Sequence, residues 1–325
     1  MKKLLVILLI ISGYLNAQNL ALNWLNTFGG PGNDGGEMVF DNSNNIIIAG
    51  EFYNTVDFDP SAGIQQETAY GQYDIFFSKF DRSGNFLFSK RIGGMSYDNI
   101  KGVQVDAENN IYIIGQFHVT IDLDPSSNVY NLNPIGSNNQ FVAKYDSLGQ
   151  FIYGKQFYGN NGEVKMNDFK IMDNELIVTG VFHGTIDMDP SASNYSLTAV
   201  SYDGFFAKYD LNGNLLFVKV FPGLPTTSMT PSYILIDYNK DILIIGNYAD
   251  SVDFNPSVDT FYLPNCQVSG NCFFAKYDSL GNFIFAKNIK SEGGFIHATT
   301  LDSSGNIYLG GQMVGYSPIQ FNSAD

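Results

Sequence analysis

Ile121-Asp-Leu-Asp-Pro-Ser126, followed at a short distance by Phe141-Val-Ala-Lys-Tyr-Asp146, is a phrase this chain writes four times. It stands earlier as Val56-Asp-Phe-Asp-Pro-Ser61 with Phe76-Phe-Ser-Lys-Phe-Asp81. It returns as Ile186-Asp-Met-Asp-Pro-Ser191 with Phe205-Phe-Ala-Lys-Tyr-Asp210, and as Val252-Asp-Phe-Asn-Pro-Ser257 with Phe273-Phe-Ala-Lys-Tyr-Asp278. Pro60, Pro125, Pro190 and Pro256 lie 65, 65 and 66 residues apart, and a second Lys follows each phrase at Lys90, Lys155, Lys219 and Lys287. Such self-similarity marks a supersecondary unit that cannot bury its apolar faces alone and stacks on copies of itself.

Within the second copy, Lys101 to Asp106 alternates polar and apolar residues. Ile111 to Phe117 is a β-branched run, Phe141 to Tyr145 a third apolar stretch, and Phe151 to Phe157 a fourth. Turn chemistry separates them, with Asp106-Ala-Glu-Asn-Asn110 after the first and Asp146-Ser-Leu-Gly149 after the third. Asp at the head of a turn accepts backbone N–H groups, and Gly supplies the positive φ that closes a hairpin. Four short strands joined in order predict an antiparallel meander. Large apolar residues on both faces of the third strand suit a sheet sandwiched between neighbours. The fold class expected is all-β: a β-propeller of four-stranded blades, about five repeats of some 65 residues, the ring incomplete in this chain. Trp24 to Gly30 aligns with Phe88 to Gly94, so the chain begins with an orphan fourth strand. A fifth repeat supplies two strands, reaches Ile319-Gln-Phe-Asn322 and stops before any F-x-A-K-Y-D strand. The organisation expected is a signal peptide over residues 1–17 and one propeller domain over 18–325, truncated at its C-terminus.

Composition narrows the partners. The net charge is −15, and −17 once Lys2 and Lys3 leave with the leader. So acidic a surface repels phosphate backbones and argues against nucleic acid. Lys2 and Lys3, the apolar run Leu4 to Ile11 and Ala17 before Gln18 read as a cleaved secretory signal. No later run is long enough to span a bilayer, so a secreted or cell-surface protein with no membrane insertion after cleavage is expected. In that setting Cys266 and Cys272, inside one loop, are expected to form a local disulfide, a metal pair being the weaker alternative.

These residues resemble the secreted bacterial seven-bladed β-propeller repeat family. The likeness rests on VDFDPS, FFAKYDLNGNLLF, the GG pair and GNIY, and runs from Trp24 to Asn322. It implies a propeller, export and a surface setting. The family is tied to no single activity, so it implies no catalytic residues.

Asp57 and Asp59, Asp122 and Asp124, Asp187 and Asp189, and Asp253 and Asn255 are the sharpest candidates for chemistry. Two oxygen ligands at i and i+2 could open a calcium site. The preferred reading is architectural: the first Asp pairs with a repeat Lys such as Lys79, and the second caps the turn opened by Pro. No cofactor is required, and calcium is the one that the pattern could accommodate. His118, His183 and His297 read as packing or rim residues. With two arginines and one tryptophan, neither a three-arginine carboxylate clamp nor a Trp-docked quinoprotein blade can be built. The function expected is a non-catalytic binding or scaffold module for an extracellular glycan or protein, and not an enzyme. Binding is expected on the variable segments Gly29 to Gly36, Gly93 to Asn99, Gly159 to Met166 and Phe221 to Pro231. The alternative is a carbohydrate-active hydrolase or lyase, which needs converging acids that do not recur in every repeat.

Overall fold

A computed structural model describes residues 5–6, 24–29, 35–136, 138–191, 193–223, 228–263, 271–290, 294–313 and 320–321. Every regular element among them is a β-strand, and the paired sheets are antiparallel meanders. In the first repeat Gly35–Phe40, Ile46–Phe52, Asp74–Phe80 and Phe86–Gly94 pair in that order. In the third, Phe151–Met172, Glu175–Asp187, Ser196–Asp210 and Leu215–Phe221 do the same. The fourth repeat uses Ser228–Ile236, Ile242–Ala249, Asn271–Tyr277 and Phe283–Lys290. In the second, Asp98–Val105 and Ile111–Phe117 are followed by Asn139–Tyr145 and the start of Phe151–Met172. The fifth contributes Gly294–Leu301 paired with Ile307–Met313.

Burial explains the composition of each strand. The second strand of a repeat is β-branched and buried on both faces, as in Ile46–Phe52, Ile111–Phe117 and Ile242–Ala249. Asp74–Phe80 is buried at every position. Strands covered on both sides read as near-continuous apolar runs rather than alternating ones. The chain divides into two compact units, residues 1–134 with 141–154 and residues 135–140 with 155–325. Each has its own aromatic and aliphatic core, around Phe77, Phe117 and Tyr145 in the first and Phe206, Tyr248 and Tyr277 in the second.

The segment between the second and third strands forms a β-hairpin. Thr55–Asp57 pairs with Gln66–Thr68, and Ile121–Asp122 with Asn131–Leu132. In the third repeat the hairpin is continuous with its parent strands, which is why Glu175–Asp187 and Ser196–Asp210 are so long. The second and third hairpins also stitch to the fourth strand of the preceding repeat, at one repeated offset that Gln320–Phe321 keeps. Asp122 pairs with Gly93, Asp187 with Tyr158, and Gln320 with Lys290. Each of those partners lies three residues past the second repeat lysine. Val252 bridges Gly223 one step further on, as Ile121 pairs with Gly94. Gln320–Phe321, from the echo of Val252-Asp-Phe-Asn255, thus keeps the same seam.

A second seam uses the turn glycines. Gly84, Gly149, Gly213 and Gly281 have φ of 83°, 75°, 80° and 78°, a region where L side chains are strained. Each also abuts the outer strand of the repeat before it. A Cβ would fall 2.9 Å from the Phe88 ring at Gly149, 3.1 Å from Lys155 at Gly213 and 3.0 Å from the Phe217 ring at Gly281. At Gly84 the neighbour is the Trp24 indole, at 2.7 Å. Trp24 therefore stands where Phe88 and Phe217 stand, as a fourth-strand residue belonging to an earlier repeat. The indole N–H also donates to the Arg82 carbonyl at 3.3 Å.

Leu5–Val6 pairs with Asn26–Thr27; the rest of the expected signal peptide lies outside the described residues. No helix of the described residues is long and apolar enough to cross a membrane.

Candidate binding surface

The D-x-D-P segment forms the tip of this hairpin, and one oxygen of each of its acids accepts the segment's own backbone N–H groups. Asp57 Oδ1 accepts the N–H groups of Asp59 (3.2 Å) and Gln65 (2.8 Å). Asp59 Oδ1 accepts Ser61 N–H at 2.9 Å, and Ser61 Oγ accepts Gly63 N–H at 3.1 Å. The cascade repeats at Asp122, Asp124 and Ser126. It repeats again at Asp187, Asp189 and Ser191. In the fourth repeat Asp253 Oδ1 takes the N–H of Asn255 and Phe261, and Asn255 Oδ1 takes that of Ser257. Asn serves there because the second position needs one carbonyl-type acceptor and no charge. Among the described residues no group of three or more His, Cys, Asp or Glu is placed to hold a metal ion.

The repeat lysine does not reach this Asp. Lys79 Nζ lies 2.9 Å from Asp41 Oδ2 and donates to the Ser147 carbonyl at 3.0 Å. Lys144 meets Asp106 at 3.6 Å, Lys208 meets Glu175 at 2.5 Å, and Lys276 meets both Asp237 and Asp241 at 2.8 Å. The register dictates this correction. Lys79 lies opposite Ile47 and Lys276 opposite Leu243, one residue into the second strand, beside the turn that opens it. Burial alone would raise Asp41, but hydrogen bonds from Asn45 and Lys79 outweigh it and hold the carboxyl below its usual range. Hydrogen bonds to Asp237 and Asp241 raise Lys276 in turn.

The variable segments behave unequally. Gly93 to Asn99 takes in the end of Phe86–Gly94, a three-residue connection and the start of Asp98–Val105. Gly159 to Met166 is no loop: it lies within Phe151–Met172, which runs unbroken from one repeat into the next through a bulge near Tyr158 and Asn161. Residues 30–34 and 224–227 of the other two segments lie outside the described residues, as does Cys266. Cys272 is buried, with the Asn247 amide 3.4 Å from its sulfur.

At the first connection three tyrosines stand in a row. Tyr53 and Tyr73 have ring centroids 5.5 Å apart, and Tyr73 stacks on Tyr97 at 5.5 Å. The outer two are exposed, Tyr97 by 46%. His118 Nδ1 is 3.0 Å from the Tyr97 carbonyl, and Arg91 lies 3.8 Å from the centroid of the exposed Tyr70 ring. In the third repeat His183 and Tyr202 occupy the positions of Tyr53 and Tyr73, with centroids 5.3 Å apart. There the Tyr202 hydroxyl donates to Glu163 at 3.0 Å, and the Asn138 amide does so at 2.5 Å.

Beneath the tyrosine row lies a polar position that sequence reading missed. Asp74, Asn139, Asp203 and Asn271 each precede the repeat lysine by five residues, and all four are buried. In the first two repeats the partner sits one residue past the second repeat lysine; in the third that place is Val220, and Asp203 Oδ1 accepts the Gly223 N–H at 3.3 Å. Asp74 Oδ2 binds Arg91 at 2.7 Å, and Asn139 Oδ1 binds the Gln156 amide at 2.9 Å. Asn288 is buried at the corresponding place in the fourth repeat. Charged pair and amide pair thus substitute for one another as units; the signal was available at the same 65-residue step. Asp98 joins the first pair. Burial pushes its carboxyl up to about 7, against the Gly94 N–H bond and with the Asp74 charge adding to the rise. Burial also raises Asp74, against its bonds to Tyr70 N–H and Arg91. Both acids are fully buried, so a substrate cannot reach them.

An uncharacterized WD repeat-containing protein of Acanthamoeba polyphaga mimivirus is 26% identical to this chain over 253 residues. The alignment takes in 66% of this chain, which spans 18% of the relative's length. No protein-family model matches. The likeness is to a repeat protein, although the single Trp24 is followed by Leu25 and no Trp-Asp dipeptide occurs here.

Proposed function

We propose that the chain is a β-propeller in which each repeat is one four-stranded blade, exported and acting as a non-catalytic binding module for a protein or glycan. WD repeats are four-stranded propeller blades, so the likeness to the mimivirus protein supports the fold half of this reading. So does the repeated offset at which Asp122, Asp187 and Gln320 pair with the preceding repeat. The observation that carries the binding half is the row of Tyr53, Tyr73 and Tyr97, with its outer two rings exposed: three stacked tyrosines found in the first repeat, mounted on a frame that recurs. Rigid sheets with variable connections are the usual platform for recognition, and tyrosines give large contact area at low entropic cost. The Lys2-Lys3 and Leu4 to Ile11 leader supports export. The secreted bacterial seven-bladed class remains the finer assignment we favour.

Binding of the mature chain to glycan and cell-surface protein arrays tests the reading. Tyr97→Ala and Tyr53→Ala should each remove the captured signal without moving the melting temperature. Turnover on a polysaccharide panel would overturn it in favour of a hydrolase or lyase. Export is tested by mass spectrometry of the culture medium, where the mature N-terminus should be Gln18.

A further inference from the structure

Two carboxyl groups beneath the tyrosine row share one cation. Asp74 and Asp98 are both 0% exposed, and each keeps one oxygen, Oδ1, without a hydrogen-bond partner among the described residues. Their other oxygens fasten the segments that carry the rings. Asp98 Oδ2 accepts the Gly94 N–H at 2.6 Å, across the connection 95–97, and the Asp98 N–H donates to the Tyr73 carbonyl at 2.9 Å. Tyr73 and Tyr97 bridge in parallel, and their rings stack. Asp74 Oδ2 accepts the Tyr70 N–H at 3.0 Å and pairs with Arg91, whose guanidinium lies against the Tyr70 ring. A Cβ at Gly93 would fall 2.6 Å from Asp74 Oδ1, so the two acids close on the same pair of glycines, Gly93 and Gly94.

Two buried carboxylates beside a single guanidinium leave one charge uncompensated. A proton on Asp98 cancels that charge and leaves Asp74 as the carboxylate paired with Arg91. It also turns one orphan oxygen into a donor of the kind the other orphan accepts. The repeated frame does not call for an acid here. Phe117 faces Asp98, but its counterparts Phe182 and Tyr248 face Val164 and Met229. Other titratable groups approach from the neighbouring elements. Glu51, on Ile46–Phe52, accepts the Ile100 N–H at 3.1 Å, and His118, just past Ile111–Phe117, lies 3.0 Å from the Tyr97 carbonyl. Asp122, in the hairpin strand that pairs with Gly93, gives Oδ1 to its own tip, and Lys101 is exposed. The groups that act on the Asp98 carboxyl itself are the Gly94 N–H and the Asp74 charge.

We propose that Asp98 is a positioning residue for the tyrosine surface: with its proton it pins the 95–97 connection beneath Tyr73 and Tyr97, and on losing it the connection opens and the row comes apart. The consequence for binding rests on the tyrosine row being the recognition surface. Burial pushes the Asp98 carboxyl up to about 7, so the row stands in acidic surroundings and loosens as pH rises through neutrality.

Hydrogen exchange of the full 325-residue chain is followed by mass spectrometry from pH 5.5 to 8.0, with rates corrected for intrinsic base catalysis. Protection of amides 94–98 should fall about tenfold or more, and that of amides 111–114 in the adjoining strand by less. Asp98→Asn keeps an acceptor for Gly94 and cannot ionise, so it should hold its protection across the whole range. His118→Gln removes a side chain of a type that changes charge near neutrality and should leave the parent's profile as it is. A flat profile in the parent, the same profile in Asp98→Asn, an equal change at amides 111–114, or a profile that vanishes with His118 overturns the proposal. Glycan and cell-surface protein arrays then separate positioning from binding. Capture at pH 5.5 that is lost at pH 8.0 in the parent and kept in Asp98→Asn supports both. Equal capture at the two pH values overturns control of binding by Asp98. Silence at both, with the exchange profile as expected, counts against the tyrosines as a binding surface and leaves the positioning role in place.

Discussion

Asp98 and Lys79 make opposite demands on pH and on charge. Asp98 carries a folded-state value of about 7 against an ordinary value of 3.8. Between those values the folded chain holds a proton that the unfolded chain has released. Its contribution is fully present below about pH 4 and is lost as pH rises through about 7, to a total on the order of 4 kcal/mol. The expected outcome is a melting temperature that falls between pH 5 and 7.5, with the slope flattened in Asp98→Asn; an unchanged slope in that variant would rule Asp98 out as its source. Lys79 acts through Asp41, whose side chain is only 1% exposed. Lys79→Met leaves a buried carboxylate without its cation and should cost about 3 kcal/mol by urea denaturation. Adding Asp41→Asn should restore part of that loss, because removing both charges removes the desolvation penalty as well.

The hairpin tip is the element at which an architectural and a metal role separate. Asp122 Oδ1 accepts two backbone N–H groups, so Asp122→Ala strands two donors and should cost about 1–3 kcal/mol. Asp122→Asn keeps an acceptor in the same place and should cost under about 0.5 kcal/mol. Chelator should leave the melting temperature of the parent chain unchanged. Equal damage from Asn and Ala, with a drop in chelator, would mean that charge at this tip serves a cation. Strand order and turn positions were legible in sequence because Asp, Gly and apolar runs act locally. The hairpin itself was not, because Gln66–Thr68 and Asn131–Leu132 are short and mostly polar and lack the apolar alternation that marks a strand. Gly159 to Met166 misled for a related reason: glycine and asparagine there mark a bulge in a continuous strand rather than a loop.

For the molecule as a whole, contacts between successive repeats are local in sequence, so each seam should have its own stability. Trp24, the sole tryptophan, reports on the first seam alone through its contact with Gly84. In urea, tryptophan emission should change at a lower midpoint than far-UV circular dichroism, since a short strand from residues 24–29 holds it. Coincident midpoints would mean one cooperative array.

The amino-acid sequence by itself determined the repeat, the apolar runs in it and the place of each tight turn. Periodic apolar runs and turn residues are short-range signals that need no partner to be read. Only the tertiary structure decided which acid each repeat lysine meets, how Asp74 and Asn139 exchange charge for amide, and which tyrosines stand together. Those depend on register between strands tens of residues apart, where a single step moves a side chain to the opposite face of the sheet.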